Sequence, residues 1–361
     1  MLKDVKSYKT SGGIMNPFIV SFGQIPKEYV PRYQQSDVIL RAFLHEDPAQ
    51  HVYIITGVRG SGKTVFMTET TNKIKEEADW TVVDLVDDGD LLGQLAGALS
   101  ENHLLQPVFR AAKIDLSFLN LGVHIEGATP VRSKDGAVQR MLESMQKHGK
   151  KLLITLDEAV NTKSLRVFTG YFQKYLRNDL PIYFLLTGLY ENIYSLQNEK
   201  NLTFLYRAPK LELNSLNIGA MTDKYQTIFS CNREKALEMA KLTKGYSFAF
   251  QALGSLTWDN GGDYVSIIPK YRQWLEEYSY EKIWSELSAT DQKVLYTMAS
   301  MDAEEEQIRV KDLREKMCVE PNYFNQYRKR LLQRGLCVSQ KFGHIGFALP
   351  FFREFVQENY F

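Results

Sequence analysis

Several stretches of this sequence bring together residue types that can do chemistry. The first is Gly57-Val-Arg-Gly-Ser-Gly-Lys-Thr64, which fits the pattern G-x-x-x-x-G-K-[ST]. Glycines there let the backbone bend tightly around an anion. The amides then point inward, and a following helix adds the positive end of its dipole. Lys63 is expected to reach the β- and γ-phosphates of a nucleoside triphosphate, and Thr64 to ligate Mg²⁺ through its hydroxyl. Val58, Arg59, Gly60, Ser61, Gly62 and Val65 belong to the same expected cofactor-binding segment.

The second is Leu152-Leu-Ile-Thr-Leu-Asp-Glu158, an apolar run closed by two carboxylates. Asp157 is expected to hold Mg²⁺, directly or through water, and Glu158 to act as general base on the attacking water. An apolar run ending in Asp-Glu is common by itself. It gains meaning from the glycine loop upstream. The adjacent acids favour ATP over GTP, and the guanine-reading Asn-Lys-x-Asp pattern is absent. Two single residues follow. Thr187 closes Ile182-Tyr-Phe-Leu-Leu-Thr, where its hydroxyl either bonds the water or γ-phosphate or merely caps the next turn. Arg207, in Phe204-Leu-Tyr-Arg-Ala-Pro-Lys210, is either a finger for a neighbouring subunit's γ-phosphate, giving self-association, or one half of a structural ion pair.

These residues need a scaffold that points them one way. Apolar runs at His51–Thr56, Thr81–Val86, Leu152–Leu156, Ile182–Thr187 and Lys210–Leu213 lack alternation, which predicts strands buried on both faces. Helical patterns lie between most of them, including 63–77 and 164–178. The latter carries Val167, Tyr171, Tyr175 and Leu176 on one stripe. Strand–helix alternation predicts an α/β fold with a parallel sheet and right-handed crossovers. Between Leu91 and Gly149 lies extra material: helices at 91–99 and 138–148, and a strand or hairpin within 114–126. No chemical role attaches to this insert.

Residues 1–16 read as a flexible leader, and the segment through Tyr29-Val-Pro-Arg32 as an extended arm. A helix is expected from Ser36-Asp37. Beyond Asn214, helices at 220–229, 233–242 and 248–258 predict a helical lid domain over 214–280. A further domain over 281–361 is expected to hold helices at 282–300, 310–317 and 322–334, then short strands to Leu349. The phosphate-binding domain is accordingly set at 17–213.

Helix 322–334 starts after Glu320-Pro321 and stops at Gly335, in keeping with proline at a helix start and glycine past its end. Phe324, Tyr327 and Leu331 form its packing stripe, with Asn325, Gln326, Lys329, Arg330 and Gln333 largely opposite. Lys341-Phe-Gly-His-Ile-Gly346 predicts a turn between two strands, a wing. Pro321–Arg353 holds six Lys/Arg and no Asp/Glu. A winged helix binding double-stranded DNA, with Lys329, Arg330 and Lys341 on phosphates and Asn325 and Gln326 near base edges, is one reading. A winged helix used for packing or oligomerisation, its basic face merely solvated, is the other.

The bulk numbers set limits. The chain has 361 residues, 44% hydrophobic and 24% charged, with a net charge of +1, so whole-molecule charge gives no steering toward nucleic acid or membrane. Three cysteines without metal-ligand spacing fit free thiols in a reducing compartment. With no apolar run of the roughly 18 residues a span needs, a cytoplasmic protein off the membrane is expected.

Taken together, the Tyr29–Arg32 arm, Gly57–Thr64, Asp157-Glu158, Thr187, Arg207 and Lys244-Gly-Tyr-Ser-Phe-Ala-Phe-Gln251 resemble the AAA+ ATPases, in the branch with a C-terminal winged helix that includes archaeal-type ATPases and origin-recognition initiators. The resemblance covers Asn16 to the C-terminus. It implies a P-loop NTPase sheet of order 5-1-4-3-2, a helical lid closing over the nucleotide, ATP/ADP and Mg²⁺ as ligands, and the arm residues Val30 and Pro31 near adenine. One departure stands out: initiator-type members carry a lid arginine that reaches the γ-phosphate, and Gly245–Gln251 contains none. Three functions compete: a DNA-associated ATPase, a nucleotide-switched regulator whose winged helix binds protein, and a non-catalytic ATP-binding scaffold.

Overall fold

The computed structural model describes residues 9–10, 13–21, 25–112, 114–115, 129–130, 133–199, 202–302 and 306–359. They fall into two compact units. One holds residues 33–56 and 66–212; the other holds 1–32, 57–65 and 213–361.

The first unit is built on a five-stranded parallel sheet: β1 (Val52–Thr56), β2 (Trp80–Leu85), β3 (Lys151–Leu156), β4 (Ile182–Gly188) and β5 (Lys210–Glu212). The spatial order is β2-β3-β4-β1-β5, the expected order read from the other edge. All five residues of β1 and all seven of β4 are buried, as a strand covered on both faces requires. Helices α1 (Tyr33–Leu44), α3 (Leu91–Glu101), α4 (Gln106–Ala111), α5 (Lys134–Lys147) and α6 (Lys163–Arg177) belong to this unit, as do α7 (Tyr190–Gln197) and α8 (Thr203–Arg207); α2 (Lys63–Lys75) follows the glycine loop.

The insert becomes intelligible as packing. Leu95, Leu99, Phe109, Val138, Met141 and Leu142 join the same core as strands β1–β4. Ser133 and Thr162 cap α5 and α6 by accepting from the Gly136 and Leu165 amides. The strand expected within 114–126 is partly seen: Ile114–Asp115 pairs in parallel with Thr129–Pro130, while 116–128 lie outside the described residues. The α6 stripe is shifted. Leu165, Phe168, Phe172 and Tyr175 are buried, whereas Val167 is 49% exposed. The positions at 165, 168, 172 and 175 also hold helical spacing, and their two phenylalanines flank Phe184 of β4.

The second unit contains the arm, the glycine loop, the lid helices and the C-terminal module. Helices α9 (Ile218–Phe229), α10 (Arg233–Leu242) and α11 (Ser247–Asp259) are the expected lid, with Asn217 and Asn232 as N-caps. The arm lies on it. Phe18 is buried beside Phe229 and Phe250, against Gly254, where an added Cβ would run into the ring. Gln251 ties the arm by accepting from the Ile19 amide and donating to the Glu28 carbonyl. In the leader, Lys9–Thr10 pairs with Gly13–Ile14; residues 1–8 and 11–12 lie outside the described residues.

Helix α12 (Ile268–Leu275), a π-turn at Glu276–Tyr280 and α13 (Glu281–Ser285) run on toward the C-terminal module. The helix expected over 282–300 is two helices. Ser288 caps α14 (Ala289–Ala299) by accepting from the Asp291 amide at 3.1 Å, which stops α13 before it. Then come β6 (Gln307–Arg309), α15 (Val310–Met317), α16 (Pro321–Gln333), β7 (Cys337–Val338), β8 (His344–Phe347) and α17 (Phe352–Asn359). Strand β8 pairs antiparallel with both β6 and β7, so helices plus a three-stranded sheet make a winged helix. Lid and winged helix share one hydrophobic core, because Tyr280 packs on Phe352 and Phe355 and Tyr271 on Phe351. No described helix is long and apolar enough to cross a membrane.

Asp291 organises the C-terminal module. It is 1% exposed and takes both Arg330 and Arg334. Removing it leaves two arginines without their carboxylate, and one of them, Arg334, is nearly buried. Asp291→Ala is expected to cost about 3 kcal/mol in urea unfolding. A loss below about 1 kcal/mol would show that the pair is not structural.

Candidate functional site

Strand β1 leads into Gly57–Gly62, and α2 starts at Lys63, so the loop sits in the strand–loop–helix context its motif requires. Gly60 and Gly62 have φ of +75° and +87°, where side chains are strained. Space is as tight as conformation. A Cβ on Gly57 would lie 2.5 Å from Ser61 Oγ, and one on Gly60 would lie 2.9 Å from Phe248 Cβ and closer still to the Tyr246 hydroxyl.

Lys63 is buried, and its ammonium donates to the carbonyls of Gly57 at 3.1 Å and Val58 at 3.2 Å. Two further polar atoms of the loop, Ser61 Oγ and Arg59 Nε, are buried without a hydrogen-bond partner among the described residues. Unanswered polar atoms, a caged ammonium and glycines with no room for a side chain fit a segment shaped for polyphosphate. Thr64 is exposed on the first turn of α2.

Lid residues satisfy the loop's outward carbonyls. The Tyr246 hydroxyl donates to Arg59 O at 2.7 Å, the Phe248 amide to Gly60 O at 3.0 Å, and the Ser247 hydroxyl to Ser61 O at 2.9 Å. Full burial pushes the Tyr246 phenol up, so it stays a neutral donor. The winged helix reaches the loop as well: Arg59 Nη2 lies 3.2 Å from Glu286 Oε1, and a Cβ on Gly335 would meet Val58 Cβ at 3.3 Å. Motif reading misses Tyr246 and Ser247. Their signal was the Lys244–Gln251 stretch as a whole. Lys244 itself is turned to Glu306.

Val30, buried, and Pro31, half-buried, line a cavity of about 360 Å³ with Glu28, Ala220, Lys224 and Thr227. Across its wall Lys224 pairs with Glu28 at 2.7 Å.

In the sheet unit, Asp157 and Glu158 follow β3. Thr187, wholly buried on β4, donates its hydroxyl hydrogen to Asp157 Oδ1 and accepts from the Glu158 amide at 3.1 Å. A hydroxyl has one hydrogen, and in this arrangement Asp157 receives it. Ala159 N–H donates to Thr187 O at 2.7 Å, so the turn after β3 is clamped to β4. Glu158 is exposed with φ +52°, a left-handed backbone that costs a side-chain-bearing residue roughly 1–2 kcal/mol. Arg207 is exposed at the end of α8.

In the winged helix, Asn325, Gln326, Lys329 and Lys341 are exposed. Arg330 differs from the sequence expectation. Its guanidinium is on Asp291 and over the Tyr327 ring, turned to the packing side of α16. Both spacings share the helix, and the buried carboxylate on α14 decides which way this arginine turns. Among the described residues no cluster of His, Cys, Asp and Glu suits a metal by itself.

Residues 277–356 match a family model described as a domain of unknown function (DUF8462). No curated protein matches the sequence. Among solved structures, the Walker-type ATPase PABY2304 of Pyrococcus abyssi aligns with a TM-score of 0.62 at 15% identity, covering 91% of this chain and 96% of that one. The ORC2 protein of Aeropyrum pernix, in its ADPNP–ADP complexes, aligns with a TM-score of 0.57 at 14% identity, covering 94% and 95%. The likeness is one of fold: this chain has the α/β P-loop fold of the AAA+ ATPases, with Walker-type and origin-recognition-type proteins as neighbours.

The strained turn generates a paired prediction. Glu158→Gly relieves the left-handed backbone and removes no buried contact, so the protein should be as stable as the parent or up to about 1 kcal/mol more stable. If Glu158 is the general base expected from the sequence, any turnover of ATP should meanwhile vanish. A variant that loses stability, or keeps turnover, contradicts the roles given to this residue.

Proposed function

We propose that this chain binds ATP with Mg²⁺ at Gly57–Thr64 and hydrolyses it, and that it associates with double-stranded DNA through its winged helix. The observation that carries the reading is the loop itself: a buried lysine ammonium within hydrogen-bond reach of the Gly57 and Val58 carbonyls, inside a backbone that leaves no room for side chains at Gly57 and Gly60. In this reading the loop amides and Lys63 hold the phosphates. The adenine lies by Val30 and Pro31, whose cavity is of a size to take a base. Thr64 and Asp157 are the residues that would hold Mg²⁺, which, when bound, offsets phosphate charge. Glu158 takes the proton of the attacking water. Thr187 acts as a positioning residue, because it sets the Asp157 carboxylate and the Glu158 amide. Arg207, exposed and therefore available to a second copy, is the candidate finger for self-association. Free cysteines, one exposed at Cys318, support a reducing compartment such as the cytoplasm.

For DNA, the supporting residues are Asn325, Gln326 and Lys329 on α16 and Lys341 on the wing, in a run without acids. Arg330 leaves that set, since its charge is already matched. One observation favours a protein partner instead: Phe342 at the wing tip is fully exposed and Tyr323 on α16 more than half so.

ATPase activity with and without duplex DNA tests both halves. Wild-type protein should hydrolyse ATP, and duplex should change the rate. Glu158→Gln should keep ATP binding and lose turnover, whereas wild-type protein inactive in every condition would leave the non-catalytic reading. Lys329→Glu with Lys341→Glu should weaken duplex binding and lower the salt slope by about 2. Unchanged duplex affinity in that double variant would favour the protein-binding winged helix.

Thr187→Val gives a further expected outcome. It removes the hydrogen given to Asp157 and the acceptor for the Glu158 amide without changing side-chain shape. ATP affinity should stay within about threefold, while kcat falls about 10²-fold or more, in the range a misplaced general base costs. An unchanged kcat would return Thr187 to a role in the fold alone.

A further inference from the structure

The phosphate loop carries one more cation than its motif assigns. Arg32 ends the arm, and its Nη2 lies 3.3 Å from Ser61 O and 3.5 Å from Ser247 Oγ. Both contacts are long and both acceptors are neutral. Among the described residues Arg32 forms no ion pair. A guanidinium offers five N–H donors, so most of its capacity and all of its charge go unanswered here. Burial lowers its pKa to about 10, as expected where a charge leaves water without a counter-charge.

Its surroundings share the deficit. Beside it, Ser61 Oγ is buried without a hydrogen-bond partner among the described residues. A buried charge usually comes with its partner, because leaving it alone costs several kcal/mol. An arm guanidinium without an acid, beside a loop hydroxyl that is itself unanswered, points to an anion that arrives from outside. The lid stretch Gly245–Gln251 offers no arginine for this task. Arg32 instead comes from the arm, and Ser61 O receives it together with the lid's Ser247. Arm, loop and lid thus converge on one carbonyl.

We propose that Arg32 is a phosphate-binding residue of this site, its guanidinium taking a phosphate oxygen of the bound nucleoside di- or triphosphate and supplying from the arm the cation the lid lacks. The proposal rests on the nucleotide reading of Gly57–Thr64. It separates ligands by charge: ATP and ADP need Arg32, and adenosine does not.

The experiment uses the full chain with Arg32→Met and Arg32→Lys. Affinities for ATP, ADP and adenosine are measured by calorimetry or ligand NMR, and melting is recorded without nucleotide. Arg32→Met should weaken ATP and ADP tenfold or more and leave adenosine unchanged. Its melting temperature without nucleotide should hold or rise, because an unpaired buried charge has gone. Arg32→Lys should recover part of the phosphate affinity. If Arg32→Met does melt earlier, the comparison of ligands on that variant decides: loss confined to ATP and ADP supports the proposal, and equal loss for all three overturns it. ATP and ADP binding as tightly as to wild type also overturns it. Failure of the wild-type protein to bind ATP or ADP at all would instead remove the nucleotide reading on which the proposal stands.

Discussion

A loop that turns its amides toward an anion turns its carbonyls outward. Buried carbonyls need donors, and in this chain the donors come from the lid. Tyr246, Ser247 and the Phe248 amide answer Arg59, Ser61 and Gly60 in succession. Much of the second unit follows from that constraint. The lid must present three consecutive residues at the start of α11. Gly60 must lack a side chain because Tyr246 and Phe248 occupy its space. Tyr246 must be buried and neutral to serve as donor, and Ser279 of the π-turn takes its other side at 2.7 Å. Since the lid shares its core with the winged helix, strain at the loop has a packed route to α16 and the wing.

The sheet unit poses a smaller version of the same problem. Asp157 and Glu158 leave the end of a buried strand on a turn that no side chain favours, with Glu158 in left-handed backbone. Three hydrogen bonds from or to Thr187 hold that turn. A strained residue persists only where its surroundings over-determine it, and an exposed carboxylate held at such expense is more useful for chemistry than for stability.

The fold was legible because its signals are local. Unbroken apolar runs marked the five strands, glycine spacing marked the phosphate loop, and proline and glycine bracketed α16. What escaped depends on contacts far apart in sequence. Arg330 has the same helical spacing as Lys329, and only the buried Asp291, 39 residues earlier, turns it inward. Val167 and Phe168 are neighbours in α6, and the aromatic face of β4 selects the second. Ser288 ends a helical pattern that reads as continuous until its hydroxyl is seen to cap α14. Arg32 looked like part of a generic arm, since an unpaired charge is a property of its surroundings rather than of its spacing. Thr187 stands out in the sequence as a polar residue closing a buried strand, but the partner of its hydrogen required the neighbouring strand.

Hydrogen–deuterium exchange on the full chain, with and without ATP and Mg²⁺, tests the link between loop and lid most directly. Amides of residues 57–65 should slow on binding. Those at 246–251 should change with them, because the same carbonyls hold both. Protection confined to the loop, with residues 246–251 exchanging as in the free protein, would contradict the account.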